Sequence, residues 1–329
     1  MKIYKAKGNS DFEIYDSETF DPQLVKLKID LIHPTDSDIN VYKGRMNTKY
    51  PIVPCRMATA IVSEDRPEHD LKRGMKVILN PYDLSFVDKD GLNFIPVYGS
   101  DRDGFLRDFV AMPNENIIAF PPNVKETDAV FTDTLAVAIA TLKTFDINKG
   151  DYVAIIGGSI LSNLIAQLVK YYQGVPIYIS NNLRHLSIAE KCGIYYTVNE
   201  TLEDVYQHVM DITGGRMAEH TVLHAQEDVS PHFLFSLACR SGDGIIVNVN
   251  SPSIMLSTNI GLISKKQLTI KGVSCGVNEI TTAVNLLAQA NLDLTHFIDK
   301  IVDLDHVKEL FDEMLVQKQR YIAPIIKVQ

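Results

Sequence analysis

A β-α-β pattern between residues 150 and 180 is the strongest constraint on the fold of this chain. An apolar run at residues 152–156 is followed by a loop of small residues, and apolar residues then recur at helical spacing from Leu161 to Val169. A second apolar run at residues 175–179 completes the unit. In such units the loop before the helix holds the diphosphate of a dinucleotide, because free backbone amides and the positive end of the helix dipole meet there. The pattern therefore predicts a dinucleotide site at this loop.

The loop departs from the usual G-x-G-x-x-G fingerprint at two positions. It reads Gly157-x-Ser159-x-x-Ser162, so serine replaces the glycine that lets the diphosphate approach the backbone and the glycine that lets helix and strand pack tightly. Both replacements are small, and serine hydroxyls donate hydrogen bonds to phosphate. We expect dinucleotide binding to be weakened and not abolished. The residues predicted to contact the diphosphate are Gly157, Gly158, Ser159, Ile160 and Leu161.

The end of the second strand bears on the choice of dinucleotide. NAD-binding units carry an Asp or Glu there for the ribose 2′-hydroxyl, whereas this chain has Ser180, followed by Asn181, Asn182 and Arg184. A hydroxyl, amides and a guanidinium do not repel a 2′-phosphate, so the sequence favours NADP(H), with NAD(H) as the alternative. The other interpretation of Arg184 places it on a solvated helix face.

Length and composition describe an ordinary globular protein with room for two domains. The net charge of −9 argues against a nucleic-acid partner. No apolar stretch approaches the roughly 18 residues of a membrane span, and residues 1–16 lack the apolar core of a signal peptide. The four cysteines form no C-x-x-C pair, so we expect a cytoplasmic protein without a disulfide framework or zinc knuckle.

The order of predicted elements divides the chain. Short β-type runs fill about the first 125 residues, and from Ala129 strands alternate with helices, which predicts an α/β fold with a doubly wound parallel sheet. We assign residues 1–128 and 278–329 to a β-rich domain and residues 129–277 to the dinucleotide domain. The elements predicted after the β-α-β unit are helices at 183–191, 202–212, 230–239, 279–290 and 305–316 and strands at 194–198, 221–224, 244–249, 268–272, 297–302 and 322–328.

This order resembles the medium-chain dehydrogenase/reductases, the superfamily of zinc alcohol and polyol dehydrogenases and of zinc-free quinone and enoyl reductases. The resemblance covers nearly the whole chain and implies a GroES-like catalytic domain, a Rossmann cofactor domain and hydride transfer between a nicotinamide cofactor and a small-molecule substrate. It also implies a homodimer or homotetramer, for which residues 244–249 and 257–262 are the candidate sheet edge. Its landmarks, each weak alone but strong in this order and spacing, are residues 37–44, 74–77, 103–110, 121–124, 133–136, 157–162 and 266–272.

The resemblance also identifies positions at which zinc members bind their catalytic metal. Where those proteins have a Cys, the His of a Gly-His-Glu triplet and an acid or Cys, this chain has Thr35, Cys55 and Asp133. A threonine hydroxyl is a poor zinc ligand, and Arg56 puts a cation beside the site, so we expect no catalytic zinc. Residues 80–112 contain no cysteine, so we expect no structural zinc lobe either. The alternatives are an unusual Cys55/Asp133 metal site and a Cys55 that is simply a small buried hydrophobe.

Without a metal, hydride transfer to a carbonyl needs positioned donors for the developing oxyanion. The resemblance places Ser37 at the hydroxyl that starts the proton relay of zinc alcohol dehydrogenases, whereas Asn40 replaces the next histidine of that relay. Tyr42 is the candidate acid, the alternative being a strand residue with a solvated tip. Asn250 replaces a glycine near the nicotinamide. The predicted catalytic residues are Ser37, Tyr42, Thr35, Arg56 and Asp133.

The substrate class rests on one segment. Residues 99–110 resemble the corresponding part of polyol- and sugar-phosphate-type members, including ribulose-5-phosphate reductases. Cations at Lys43, Arg45, Arg56 and Arg102 predict a pocket for an anionic substrate, or else ion pairs with nearby acids.

Two functions follow from the sequence. The first is a zinc-independent NADP(H)-linked oxidoreductase that acts on a small carbonyl or alcohol. The alternative is a catalytically silent, dehydrogenase-like binding or assembly subunit, since many positions depart together from the working pattern.

Overall fold

The computed structural model describes residues 1–16, 19–86, 95–224, 233–247, 260–317 and 321–328. The chain divides into two compact units. The first comprises Met1–Asp133 and Ile298–Gln329, and the second comprises Thr134–Phe297. Among the helices in the described ranges, none has the length and apolar character needed to cross a membrane.

The helices and strands are numbered here in chain order. The strands are β1 (Ile3–Ala6), β2 (Phe12–Tyr15), β3 (Val25–His33), β4 (Met57–Val62), β5 (Lys76–Leu79), β6 (Phe109–Met112), β7 (Ile117–Ala119), β8 (Tyr152–Ile156), β9 (Val175–Ser180), β10 (Tyr196–Asn199), β11 (Ala218–His224), β12 (Ala238–Val247), β13 (Thr269–Val273), β14 (Ile298–Asp303) and β15 (Ala323–Lys327). The helices are α1 (Asp36–Tyr42), α2 (Glu126–Ala129), α3 (Thr132–Leu142), α4 (Ile160–Tyr171), α5 (Leu183–Lys191), α6 (Val205–Ile212), α7 (Phe233–Ser236), α8 (Ile260–Lys266), α9 (Ile280–Ala288) and α10 (Val307–Val316). Short 3₁₀ helices lie at Pro67–His69, Asn114–Asn116, Val277–Glu279 and Leu304–His306.

The first unit is organised by a seven-stranded sheet with the order β14-β15-β3-β4-β5-β7, in which β6 also pairs with β3. All of its pairs are antiparallel except β14 with β15. Strand β3 alternates buried and half-buried residues along its first half, so Val25, Leu27 and Ile29 enter the core. This unit shares residues 1–128 and 298–329 with the predicted β-rich domain and also includes residues 129–133, which the sequence assigned to the dinucleotide domain.

The second unit contains a six-stranded parallel sheet with the order β10-β9-β8-β11-β12-β13. The chain runs outward from β8 to β10 and then returns beside β8 to build β11 to β13. The direction therefore switches between β8 and β11, and in doubly wound folds ligands bind beyond the carboxyl ends of the strands at that point. The predicted fold class is confirmed.

Residues 278–297 belong to the second unit, although the sequence assigned them to the first domain. The reason is a set of polar contacts with the parallel-sheet unit. The side chain of Gln167 on α4 donates to the carbonyl of Asp293 at 2.9 Å and accepts from its N–H at 2.7 Å. Lys143 also pairs with Glu279 at 2.7 Å.

The segment near β12 differs from its predicted course. The sequence predicts a helix at residues 230–239 and a strand at 244–249, whereas the structure has a four-residue helix α7 and a strand that already begins at Ala238. This strand pairs with β11 on one side and β13 on the other, and pairing on both sides overrides the helical spacing. Residues 248–249 and 257–259 of the predicted dimer edge lie outside the described residues.

Candidate functional site

The loop between β8 and α4 depends on two glycines. Gly157 has φ +133°, a conformation that L side chains rarely adopt, and its N–H donates to the carbonyl of Ile179 at 3.0 Å. A Cβ on Gly157 would lie 2.9 Å from the carbonyl oxygen of His224, and a Cβ on Gly158 would lie 2.5 Å from Ser180 Oγ. The loop is thus pressed against the ends of both neighbouring strands.

Replacing Gly158 with alanine should destabilise the second unit by about 1–3 kcal/mol, because the new methyl group overlaps Ser180 Oγ. Removing that hydroxyl in Gly158→Ala/Ser180→Ala should recover most of the loss. The matched control is Gly272→Ala, where the added Cβ has no neighbour within 4 Å. Chemical denaturation of the three variants tests the prediction, and a Gly158→Ala protein as stable as the Gly272→Ala control would contradict it.

The first serine that replaces a fingerprint glycine caps the helix. Ser159 precedes α4, and its hydroxyl oxygen accepts from the N–H of Ser162 at 3.0 Å. The same oxygen lies 3.0 Å from Ser162 Oγ and 2.7 Å from His224 Nδ1. Ile160 and Leu161 open the first turn, where N–H groups lack intrahelical acceptors. These two backbone amides are therefore the part of the loop best suited to a phosphate.

The predicted contacts for the 2′-position fall at the end of β9. Ser180 is 1% exposed, and its hydroxyl accepts from the N–H of Asn182 at 3.0 Å. Asn182 in turn caps α5 by accepting from the N–H of Arg184 at 2.9 Å. Asn181 is half-buried and Arg184 is exposed in the first turn of α5. Ser180 therefore shapes the turn from inside, whereas Asn181 and Arg184 lie nearer its surface.

His224 is a residue of this region that the sequence reasoning missed. It ends β11, is 5% exposed and bonds Ser159 through Nδ1. Burial lowers its pKa to about 4, so the ring is neutral at pH 7. A polar residue that closes an apolar strand run is the sequence signal that could have identified it.

In the first unit, a tight turn holds Arg56. Cys55 has φ +70°, and its N–H donates to Asp38 Oδ1 at 2.9 Å. The carbonyl of Cys55 accepts from the N–H of Phe105 at 2.8 Å, and a Cβ on Gly104 would lie 2.4 Å from that carbonyl oxygen. The turn is fixed from two sides, so the direction of the Arg56 side chain is set by the backbone.

Arg56 forms an ion pair with the buried Asp133, whose Oδ2 lies 2.7 Å from the guanidinium. The other carboxylate oxygen of Asp133 accepts from the Tyr82 hydroxyl at 2.8 Å. Burial by itself lowers the pKa of Arg56, but the negative charge of Asp133 more than offsets this, so the net pKa is raised and the guanidinium stays charged. Tyr82 is a further residue that sequence reasoning missed, and no motif marks it.

The comparisons with known proteins agree with this architecture. No protein-family model matches the chain. An uncharacterized zinc-type alcohol dehydrogenase-like protein of Haemophilus influenzae is 22% identical over 308 residues, which cover 91% of this chain and 90% of that protein. A ribulose-5-phosphate reductase of Streptococcus pneumoniae is 26% identical over 200 residues, 54% of this chain and 56% of that enzyme. A structure from Sinorhizobium meliloti, assigned as a zinc-binding dehydrogenase and solved with NADP, superimposes with a TM-score of 0.87 at 16% identity and covers 99% of this chain and 98% of that one.

Over nearly its whole length the chain is similar to proteins of the medium-chain dehydrogenase/reductase superfamily, and it shares their fold. The proteins that it resembles are of the zinc-type alcohol dehydrogenase-like kind, oxidoreductases of the NAD(P)-dependent dehydrogenase type. The resemblance predicted from its motifs is thus confirmed.

The three positions at which zinc-type members bind their metal have other contacts in this chain. Thr35 donates its N–H and its hydroxyl to Asp38 at 2.7 and 2.8 Å, and the N–H of Cys55 donates to the same carboxylate. Cys55 is fully buried, and burial raises the pKa of its thiol well above the usual range. Asp133 is held by Arg56 and Tyr82. Within the described ranges, no three His, Cys, Asp or Glu side chains are grouped so as to hold a metal ion.

The two relay candidates of helix α1 have different surroundings. Ser37 is half-buried near the start of the helix, close in sequence to Thr35 and Asp38. Tyr42 is fully buried, stacks on Phe12 with ring centroids 4.6 Å apart, and donates to Asp312 at 2.9 Å.

Tyr42 is therefore a core residue, which corrects both its predicted role as the acid and the alternative of a solvated strand tip. Burial raises its pKa to about 12, which further reduces its value as a proton donor near neutral pH. The helix begins at Asp36, directly after Thr35, whose capping interaction with Asp38 explains why a strand does not form there.

The predicted cationic pocket is reduced by internal ion pairs. Arg56 pairs with Asp133, and Arg102 Nε lies 3.2 Å from Asp83 Oδ2. The ion-pair alternative therefore holds for these two arginines, although with other acids than those nearest in sequence. Asn250, the predicted neighbour of the nicotinamide, lies outside the described residues.

Proposed function

We propose that this protein is a zinc-independent, NADP(H)-linked oxidoreductase that transfers hydride to or from a small carbonyl or alcohol. The observation that carries the proposal is the 2.7 Å ion pair between Arg56 and Asp133. It puts a permanent organic cation on the carboxylate that a zinc-type member would use for its metal.

The donor set does not fit zinc. Zinc requires deprotonated thiolate, neutral imidazole or carboxylate ligands in a tetrahedral arrangement. Here Thr35 donates its hydroxyl to Asp38 and the Asp133 carboxylate already binds a guanidinium, which leaves the buried Cys55 as the remaining candidate ligand. A second cation at Asp133 would be repelled by Arg56. We therefore assign no step of the reaction to a metal.

Arg56 is the residue proposed to stabilise the oxyanion. A guanidinium carries several N–H donors in a planar fork, so it can bind Asp133 and still offer donors to a second oxygen. Its side chain is 17% exposed, whereas that of Asp133 is 4% exposed, so the arginine is the more accessible member of the pair. Asp133, itself bonded by the Tyr82 hydroxyl, holds the guanidinium in place, and preorganised donors of this kind favour the charged state of the reacting oxygen.

Ser37 is the proposed proton donor. It is half-buried and lies between Thr35 and Asp38, the two residues that cap α1. The role is supported by the resemblance, in which this position carries the hydroxyl that starts the proton relay. Thr35 is less suited to that role because its hydroxyl proton is donated to Asp38. A nicotinamide cofactor, when bound, would supply or accept the hydride.

The preference for NADP(H) is supported by the lack of a carboxylate at Ser180 and by the exposed Arg184. NAD(H) is the alternative, because Ser180 and Asn182 both use their side chains within the turn. An NADP-bound structure among the similar folds is compatible with the first choice.

The proposal extends to partners and location. A polyol- or sugar-phosphate-like substrate is supported by the similarity to a ribulose-5-phosphate reductase. Self-association as a dimer or tetramer is supported by β13, an exposed strand at the edge of the parallel sheet. We propose neither a nucleic acid nor a membrane as a partner. A cytoplasmic location is supported by four free cysteines.

A catalytically silent subunit is the second candidate. It is favoured by the same network that argues against zinc, because Arg56, Thr35 and Asp38 satisfy one another inside the protein. The two candidates differ in whether the bound dinucleotide turns over.

One experiment separates these candidates. NADPH and NADH are titrated by fluorescence and calorimetry into protein whose zinc content is measured by elemental analysis. Hydride exchange with polyol and sugar-phosphate carbonyls is then followed at the nicotinamide absorbance. We expect NADPH to bind more tightly, turnover to persist after chelation, and zinc to be substoichiometric. Stoichiometric zinc whose removal abolishes turnover would overturn the proposal, and binding without any turnover would favour the silent subunit.

Replacing Ser37 with alanine should lower kcat by about 10²–10³-fold while leaving the dissociation constant for NADPH unchanged. The reason is that a general acid acts in the transition state and not on the bound cofactor. Tyr42→Phe is the matched control, since it also removes a hydroxyl from α1 but one that lies in the core. Equal loss of kcat in both variants would contradict the assignment of Ser37.

A further inference from the structure

His224 lies at the point in the second unit where a ligand is expected. It is the last residue of β11, and β11 pairs with β8, the strand that leads into the Gly157 loop. The strand order reverses between these two strands, so their carboxyl ends border the crevice in which doubly wound folds bind ligands. The backbone of His224 touches the loop directly, since its carbonyl oxygen lies 2.9 Å from where a Cβ of Gly157 would be.

The ring of His224 is fixed by the two serines that replace fingerprint glycines. Ser159 Oγ lies 2.7 Å from His224 Nδ1 and 3.0 Å from Ser162 Oγ, and it accepts from the N–H of Ser162. Two assignments of protons satisfy these contacts. In the first, Ser162 donates its N–H and its hydroxyl to Ser159, and Ser159 donates its hydroxyl to Nδ1. In the second, Nδ1–H donates to Ser159, and Ser159 donates its hydroxyl to Ser162. The departures from the fingerprint thus form one hydrogen-bonded set with His224.

The other ring nitrogen has no such partner. Nε2 is buried, and among the described residues no group forms a hydrogen bond with it. In the first assignment Nδ1 accepts from Ser159, so the neutral ring carries its proton on Nε2. A buried N–H without an acceptor is unfavourable, so a ligand that brings an acceptor to this position gains affinity.

We propose that His224 is a cofactor-binding residue that donates a hydrogen bond from Nε2 to the diphosphate of the bound dinucleotide. The inference rests on the proposed function, because the ligand is the nicotinamide dinucleotide. Nε2–H adds a donor to the first-turn amides of Ile160 and Leu161. This donor replaces part of the close backbone contact with the diphosphate that a second fingerprint glycine would allow. The opposite tautomer would present a lone pair to an anion and is therefore disfavoured when the diphosphate is bound.

Two substitutions separate the ring nitrogens. His224→Asn keeps an amide near the position of Nδ1 and loses Nε2, whereas His224→Gln keeps an N–H donor near the position of Nε2. With the full-length protein, we expect His224→Asn to raise the dissociation constant for NADPH by about tenfold or more, as for a lost hydrogen bond to a charged group. His224→Gln should remain within about threefold of wild type. Melting temperatures of both variants identify any loss that comes from misfolding.

A spectroscopic readout tests the contact itself. In protein with ¹⁵N-labelled histidine, NADPH should shift the Nε2 resonance of His224 more than its Nδ1 resonance, and inorganic diphosphate should do the same at higher concentration. Equal NADPH affinity for wild type and His224→Asn, with an unmoved Nε2 resonance, would overturn the inference but leave the proposed function intact. Wild-type protein that binds neither NADPH nor NADH would overturn both.

Discussion

Replacing Arg56 with methionine should lower the free energy of unfolding of the first unit by about 3–5 kcal/mol. The change leaves the carboxylate of Asp133, whose side chain is 4% exposed, without its cation. The remaining hydrogen bond from Tyr82 does not compensate a buried charge. Denaturant unfolding at pH 7, followed by circular dichroism, measures the effect.

Two further variants complete this test. Arg56→Met/Asp133→Leu removes both charges and should recover most of the stability, because replacing a buried ion pair by apolar groups is often neutral. Lys7→Met breaks the exposed pair with Asp11, at 2.6 Å, and should change stability by about 1 kcal/mol or less. Equal losses of unfolding free energy in Arg56→Met and Lys7→Met would contradict the predicted contribution of the Arg56–Asp133 pair to stability.

Acidification from pH 7 to pH 4 should destabilise both units, by about 3 kcal/mol for each of two buried histidines. His33 in the first unit and His224 in the second both have their pKa lowered to about 4 by burial. The unfolded chain takes up a proton near the ordinary value of 6.5, whereas the folded chain does so only near 4. Their contribution is therefore complete above pH 6.5 and is lost as the pH falls toward 4.

One buried acid acts in the opposite direction. Burial raises the pKa of Asp38 in the folded state, although its hydrogen bonds from Thr35 and Cys55 offset part of this. The folded chain thus binds a proton there more readily than the unfolded chain does, which reduces the net loss at low pH.

Unfolding free energies measured at pH 7, 6, 5 and 4 for wild type and His33→Asn test this prediction. Asparagine preserves an N–H donor near Nδ1, which lies 3.0 Å from the carbonyl of Pro324, but it does not titrate. In the variant, the unfolding free energy should fall less steeply with decreasing pH. The slope between pH 6.5 and 4 should be smaller by roughly 1.4 kcal/mol per pH unit, which corresponds to one proton. A pH profile identical to that of wild type would show that His33 is not held neutral by burial.

Much of the second unit could be predicted from sequence because its signals are local. The apolar periods at residues 152–156, 160–172 and 175–179 coincide with β8, α4 and β9 to within a residue. The boundary between the two units was harder to predict from the sequence. Residues 278–297 join the second unit through long-range contacts such as Gln167 with Asp293, which hydrophobic periodicity does not show.

The site chemistry was predicted less completely because it joins residues that are distant in the chain. The motif positions identified Arg56 and Asp133 separately, but not that one would pair with the other or that Tyr82 would bond the same carboxylate. Likewise the sequence predicted that the two serines would only weaken dinucleotide binding. In the structure Ser159 bonds His224, and Ser162 bonds Ser159. Tyr42 was misjudged because nothing in its local sequence shows that Phe12 and Asp312 enclose it.

The position of β15 has a consequence for how the chain is made. This last strand lies inside the sheet, between β14 and β3, and its Ile326 pairs with Ile32. The sheet that began with β3 therefore cannot close until β15 has been synthesised and has left the ribosome. The intervening unit, Thr134–Phe297, is continuous and can complete its own sheet while the rest is still being synthesised. A chain truncated before β15 should thus contain a folded second unit and a first unit whose sheet has an exposed, aggregation-prone edge.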